Sequence, residues 1–183
     1  MEKFKVILKE KRECINGKLP WYSLHWGRDT KILENIKIVN SRRSKRNVFA
    51  LENLKKYEQS DIMMTSIKEK FTDLFDIKYL LALLNSKLYY VWLYNKGKRK
   101  GELLELFYQP LAEIPIKKIP TEAQKPFIDL VDQILEITSA PVYNPKNPPV
   151  KQRELEKQID ELVYKLYDLT DEEVRIVEES SKK

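Results

Sequence analysis

The sequence predicts an α+β fold, in which a mixed, β-containing region packed with helices is followed by a helical C-terminal region. In the first 75 residues, short apolar runs alternate with turn signals, as in small sheets. From residue 76 onward, apolar residues recur at helical spacing. The charge also changes along the chain. Residues 1–120 carry 25 Lys and Arg against 14 Asp and Glu, whereas residues 121–183 carry 9 against 14.

This charge asymmetry predicts a division of the chain at residue 120. A basic, strand-containing part joined to an acidic, helical part is typical of a nucleic-acid-binding module with a separate docking end. We therefore predict a basic recognition region over residues 1–120 and a helical docking or packing region over residues 121–183. The alternative for any single Lys-rich run is a solvated loop.

Composition limits the class of protein further. A chain of 183 residues can bury a core, and it has no apolar run long enough to cross a bilayer. The charged residues near Met1 do not resemble a signal peptide. The single Cys14 excludes an internal disulfide, and Cys14 with the single His25 cannot supply a structural zinc site. We expect a cytoplasmic protein that contacts no membrane and holds no metal.

The first region contains the predicted strands. Asn16-Gly17 is a turn signal. Apolar and β-branched runs predict strands over residues 36–39, 48–50, 62–64 and 103–107. Residues 4–8 are predicted to form either a strand or a segment that packs against a partner.

The helices follow from apolar spacing and from end signals. One helix is predicted from an Asp76 N-cap to Gly97. Pro110, Pro115 and Pro120 then indicate an extended stretch. Thr121-Glu122-Ala123-Gln124 is a capping-box pattern that opens a second helix, and residues 141–149 form a linker before a third. Thr170-Asp171-Glu172-Glu173 is a second capping box, which opens a short last helix.

Two dense basic segments are the strongest candidates for DNA contact. The first covers residues 42–47 and directly follows a predicted strand, and the second covers residues 96–100 at a predicted helix end. Arginine pairs with guanine edges and asparagine with adenine, while lysine neutralises phosphates. The candidates are Arg42, Arg43, Lys45, Arg46, Asn47, Lys96, Lys98, Arg99 and Lys100. For the second segment the helix dipole also favours cations at that end, which is a purely structural reason for them.

A third candidate lies in the segment around Gly27. His25, Trp26 and Arg28 flank this glycine in a predicted loop and could face a duplex, whereas core packing is the expected role of Trp21. A catalytic His25 would need a nucleophile or metal partner, and nothing nearby in the sequence supplies one.

Catalytic motifs are missing or incomplete. Asn147-Pro148-Pro149-Val150 resembles the Asn-Pro-Pro-aromatic motif of adenine methyltransferases, but Val150 cannot stack on a flipped base. No Gly-x-Gly approaches a cofactor, and Asp76-Ile77-Lys78 fits a helix cap better than a nuclease centre. We therefore predict a non-catalytic chain.

Several motifs together resemble the TaqI-like C-terminal specificity domain, the target-recognition part of type IIG and related adenine-specific restriction-modification enzymes. The resemblance covers most of residues 20–178. It departs from the family at Val39-Asn40-Ser41, where a Pro-containing turn is expected. The motifs are Pro20-Trp21-Tyr22-Ser23-Leu24-His25-Trp26-Gly27-Arg28, Lys37-Ile38, residues 42–50, residues 79–88 with Leu84-Asn85-Ser86-Lys87, residues 111–116 with Ile114-Pro115-Ile116, and the tail at residues 159–170.

The resemblance implies a sequence-specific domain that binds double-stranded DNA for a methyltransferase on the same longer chain or on another subunit. That parent enzyme would use S-adenosylmethionine, and Mg²⁺ if it also cleaves DNA; this chain would hold no cofactor. Two other functions stay open. The first is a protein-interaction module that docks through its C-terminal helices without touching DNA. The second is a single-stranded RNA binder that stacks bases on Trp21 and Trp26.

Overall fold

The computed structural model describes residues 2–23, 30–53 and 61–182. The strands of the described chain are β1 (Lys37–Ser41), β2 (Arg43–Ser44), β3 (Phe49–Glu52), β4 (Ile62–Thr65), β5 (Lys98–Lys100) and β6 (Leu103–Glu105). The helices are α1 (Lys5–Lys9), α2 (Arg12–Ile15), α3 (Thr30–Glu34), α4 (Ile77–Asn85), α5 (Lys87–Lys96), α6 (Tyr108–Ala112), α7 (Thr121–Thr138), α8 (Val150–Leu166) and α9 (Asp171–Ser180). The predicted α+β class is confirmed.

The chain forms two compact units, residues 1–34 and residues 35–183. In the first unit the strand alternative for residues 4–8 is wrong, because a 3₁₀ turn leads there into α1, and the partner-packing alternative stays a prediction. A strand needs a partner and a buried face, whereas Val6 and Ile7 are 74% and 68% exposed. The predicted turn at Asn16-Gly17 is confirmed, since Gly17 adopts a φ of 67°.

Two small antiparallel sheets lie in the second unit. One has the order β3-β1-β4 and places Ile38 and Phe49 in the core. The other has the order β2-β6-β5. The predicted strands near residues 36–39, 48–50, 62–64 and 103–107 are confirmed, although β6 ends at Glu105 and Phe107 lies beyond it.

The helix predicted from Asp76 to Gly97 is two helices, α4 and α5, separated at Ser86. The Asp76 carboxylate accepts a hydrogen bond from the Lys78 N–H at 2.7 Å, so the predicted cap is confirmed. Ser86 adopts an extended conformation, and its hydroxyl accepts from the Tyr89 N–H at 3.4 Å. Ser86 therefore caps α5 and changes the direction of the chain. Gly97 ends α5 as predicted.

The C-terminal helices share one core with α4 and α5. Phe127 and Val131 of α7 and Ile159 and Val163 of α8 belong to the same buried cluster as Tyr79 of α4. The compact units therefore do not divide at residue 120, and a functional division there stays a prediction. In the described part of the chain no helix is long and apolar enough to cross a membrane.

Helix α9 is attached to α5 and α8 by a polar cluster. Lys87 Nζ lies 2.9 Å from a Glu178 carboxylate oxygen and 3.4 Å from Asp160, and the Tyr164 hydroxyl donates to Glu178 at 2.8 Å. Burial raises the pKa of Asp160, and its interactions with Lys87 offset only part of that rise. This cluster joins the end of the chain to the central helices.

The capping box predicted at Thr121 is wrong, although the helix that it opens is present. The N-cap of α7 is Pro120, and Thr121 is already helical. Gln124 is fully buried, and its side chain instead accepts from the Asp76 N–H at 2.9 Å and donates to the Leu74 carbonyl at 2.8 Å. Gln124 thus fixes the loop before α4. The second predicted box, at Thr170 and Glu173, is confirmed in both of its hydrogen bonds.

This difference between the two boxes gives a paired prediction. Thr170→Ala should lower the free energy of unfolding by about 1 kcal/mol, because the hydroxyl that accepts from the Glu173 N–H is lost. Thr121→Ala should change it by less than about 0.5 kcal/mol, since it removes no cap. Urea denaturation of the two variants measures the difference. Equal losses would contradict the assignment of the caps.

Candidate nucleic-acid interface

The two basic segments meet on one small sheet. Strand β2 pairs with one side of β6, with Arg43 opposite Glu105. Strand β5 pairs with the other side of β6, with Lys98 opposite the same Glu105. Because residues opposite each other on paired strands point to the same face, Arg43, Glu105 and Lys98 form one row across the sheet. Segments far apart in the sequence are therefore neighbours in the fold.

A carboxylate lies within this row. Arg43 Nε donates to Glu105 Oε1 at 3.1 Å, and the Arg43 side chain is 40% exposed. An ion pair this exposed contributes at most about 1 kcal/mol. The pair orients Arg43 but neutralises only one of the cations on this face.

The half-buried Phe107 ring, just beyond β6, holds one cation from each segment. The Arg42 guanidinium carbon lies 5.6 Å from the ring centroid, and Lys98 Nζ lies 5.9 Å from it. Both distances lie within the range of cation–π attraction. The backbone supports the same arrangement, since the Leu106 N–H donates to the Arg42 carbonyl at 2.8 Å.

Two tyrosines of α5 organise a second pair of cations. Arg46 lies 5.1 Å from the Tyr90 ring, and Arg99 lies 4.1 Å from the Tyr94 ring. The two rings are one helical turn apart, with centroids 5.9 Å from each other. Stacking holds a guanidinium in place while leaving its N–H groups free to donate at the edges.

We call these cations the basic cluster. Its members are all solvent-exposed, and aromatic rings position four of them, two from each segment. They are Arg42, Arg43, Lys45, Arg46, Lys96, Lys98, Arg99 and Lys100. Such a group of exposed cations attracts polyanions.

Comparison with known proteins then assigns the chain to a family. Residues 6–116 match the TaqI-like C-terminal specificity domain, a match that includes the whole basic cluster. The chain belongs to this family. The resemblance seen in the sequence is thus confirmed, although the match ends before α7 and leaves out the tail at residues 159–170.

Two relatives of this specificity domain are type II methyltransferases of Haemophilus influenzae. The chain is 36% identical to M.HindII over 63 residues, which are 34% of this chain and 12% of that protein. It is 28% identical to M.HincII over 114 residues, which are 60% of this chain and 23% of that protein. The aligned segments thus cover less than a quarter of either methyltransferase.

Asn47 of the specificity domain has a structural role, in contrast to its predicted contact with adenine. The side chain is 7% exposed, and its amide donates to the Leu84 carbonyl at 2.7 Å and to the Ser86 carbonyl at 2.9 Å. Both amide hydrogens are therefore used to hold the junction between α4 and α5. We leave Asn47 out of the interface.

The remaining predicted site residues, His25, Trp26 and Arg28, lie outside the described residues. Nearby, Trp21 is half-buried, with an edge-to-face contact to Tyr22 at 5.6 Å between ring centroids and with Lys5 Nζ 5.1 Å from its ring. The prediction that Trp21 of the specificity domain packs in a core is thus confirmed only in part, because this side chain is half-buried.

The aromatic rings that support the basic cluster were not predicted from the sequence. The spacing of Tyr90 and Tyr94 on a predicted helix just before Lys96 was an available signal. Phe107 and Glu105 gave none, because their roles depend on the pairing of β2 and β5 with β6.

Proposed function

We propose that this chain is the DNA target-recognition domain of a restriction-modification adenine methyltransferase and is itself non-catalytic. Membership of the specificity-domain family supports the target-recognition role. The observation that carries the proposal is the joining of two basic segments on the β2-β6-β5 sheet, where they form one exposed cluster.

The proposed contacts follow from side-chain chemistry. The lysines of the basic cluster act as point charges that neutralise backbone phosphates. Arg43 and Arg46, whose guanidinium groups are oriented by Glu105 and Tyr90, present planar forks that match the O6 and N7 acceptors of guanine. These contacts hold the duplex in register.

The methyltransferase partner, on the same longer chain or on a separate subunit, supplies catalysis. That partner would bind S-adenosylmethionine, which would supply the methyl group for the flipped adenine. Recognition by this chain determines which duplex is presented to the methyltransferase. If the parent enzyme also cleaves DNA, it would use Mg²⁺ for cleavage.

A salt titration tests the proposal. With about six phosphate contacts, the affinity of the 183-residue chain for duplex DNA should fall about a thousandfold between about 50 and 200 mM salt. Fluorescence anisotropy with a labelled duplex measures this slope. A flat response would refute the proposal and favour the alternative in which the helices dock on a protein and the basic cluster only keeps the chain in solution.

The same assay separates duplex binding from single-strand binding. Bases stack on free aromatic faces, whereas Trp21, one of the two rings that the RNA-binding alternative requires, is half-buried and already contacts Lys5 and Tyr22. We therefore expect a duplex to displace a labelled single-stranded RNA from the chain. The reverse preference would favour the RNA-binding alternative.

A further inference from the structure

A large cleft adjoins the basic cluster in the unit of residues 35–183. It has a volume of about 740 Å³, and its lining includes residues 46–51 on one side and residues of α8 on another. Arg46 belongs to the basic cluster and also lines this cleft. The cluster and the cleft are therefore continuous at Arg46.

The charged residues that line the cleft give it a positive rim. Its cations are Arg46, Lys87, Arg153 and Lys157, and its carboxylates are Glu156 and Asp160. Lys87 and Asp160 are engaged with each other, since the Lys87 N–H donates to Asp160 at 2.8 Å and Nζ lies 3.4 Å away. The other three cations lie near two carboxylates: Glu156, which already accepts from the Gln152 side chain at 2.8 Å, and Glu161, which pairs with Lys157.

Arg153 and Lys157 share one side of α8. They are four residues apart, so their side chains emerge one turn from each other, and both are exposed. Lys157 Nζ lies 3.7 Å from Glu161 Oε1, with 73% and 54% of the two side chains exposed. A pair this exposed contributes at most about 1 kcal/mol, so it does not prevent contact with a phosphate.

The net charge of the C-terminal region does not oppose such a contact. Residues 121–183 carry a net charge of −5, from 9 cations and 14 carboxylates. Salt screens exposed charges over about 8 to 10 Å, so the rim beside a phosphate matters more than the regional sum. Two cations on the cleft side of α8 are therefore attractive to a polyanion despite the acidic composition.

We propose that the DNA-binding surface continues from Arg46 across the rim of this cleft to Arg153 and Lys157, which contact backbone phosphates of the bound duplex. This inference rests on the proposed function and adds to it, because both residues lie outside the family match over residues 6–116. Helix α8 then has a DNA-contacting side as well as a buried side. The C-terminal region is thus part of the interface and not only a docking end.

Charge reversal on α8 tests this. Arg153→Glu with Lys157→Glu should reduce the slope of log affinity against log salt by about 1.8, since each lost phosphate contact removes about 0.9. The matched control is Lys151→Glu with Lys165→Glu, which makes the same charge change at exposed positions of α8 that do not line the cleft. Duplex binding by the 183-residue chain is measured by anisotropy, and thermal unfolding checks the fold of each variant.

The outcomes separate this inference from the proposed function. A slope reduced by about 1.8 in the cleft variant and by less than about 0.5 in the control supports the extended surface. Equal slopes in the two variants overturn it while leaving the proposed function intact, provided that the unmutated chain binds DNA with a steep salt response. If the unmutated chain shows no such response, both the proposed function and this inference fail.

Discussion

Reversing four cations of the basic cluster should remove about half of the salt dependence of DNA binding. In the variant with Arg42, Arg46, Lys98 and Arg99 changed to Glu, the slope of log affinity against log salt is expected to fall by about 2.7, because three of the four contact phosphates whereas Arg46 contacts guanine. The loss of affinity between about 50 and 200 mM salt should then shrink from about a thousandfold to about fortyfold. These four residues are chosen because aromatic rings hold each of them at the surface.

The control for this variant makes the same change in net charge elsewhere. Lys125, Lys146, Lys165 and Lys182 are exposed, lie in the C-terminal region and belong to neither the basic cluster nor the cleft lining. Changing these four to Glu should reduce the slope by less than about 1. Equal reductions in the two variants would mean that net charge alone governs binding, contrary to a defined interface.

Replacing Asn47 should lower stability and should leave DNA sequence preference unchanged. Asn47→Ala removes two buried hydrogen bonds and leaves the Leu84 and Ser86 carbonyls without these donors. The expected loss is about 1 to 3 kcal/mol in the free energy of unfolding, because the buried Leu84 carbonyl is left unsatisfied, whereas the Ser86 carbonyl still accepts from the Tyr90 N–H at 3.1 Å. Urea denaturation measures this loss.

A second asparagine provides the comparison. Asn95 on α5 is exposed, and its side chain donates to the Val91 carbonyl at 2.8 Å. Asn95→Ala should cost less than about 0.5 kcal/mol. If Asn47→Ala were equally mild but lost the preference for adenine-containing sites, Asn47 would be a base-reading residue and its structural role would be secondary.

The parts of the fold that depend on local sequence could be predicted. The spacing of apolar residues indicated α7 and α8, and Thr170 with Glu173 correctly marked the beginning of α9. The break at Ser86 was not visible, because Leu84 and Leu88 keep helical spacing across it. Residues 121–124 matched a capping pattern. The Gln124 side chain instead forms hydrogen bonds with the backbone of Asp76 and Leu74, which are distant in sequence.

The candidate site was predictable in its residues but not in its arrangement. The high density of Lys and Arg identified residues 42–46 and 96–100 as surface segments, since so many neighbouring cations are not buried. Nothing local indicated that β2 and β5 are strands, because Lys, Arg and Ser have little preference for strands. Both form by pairing with β6, and a partner selected from elsewhere in the chain cannot be read from either segment alone.

Because β6 pairs with a strand from each basic segment, the cluster exists only while the chain is folded. In the unfolded chain, these cations belong to distant, independent segments. Any polyanion that contacts both segments at once must prefer the folded state and so stabilise it. Ligand binding and folding of this domain are then linked equilibria. The link depends on the short strand at Leu103–Glu105, because its pairing brings the two segments together.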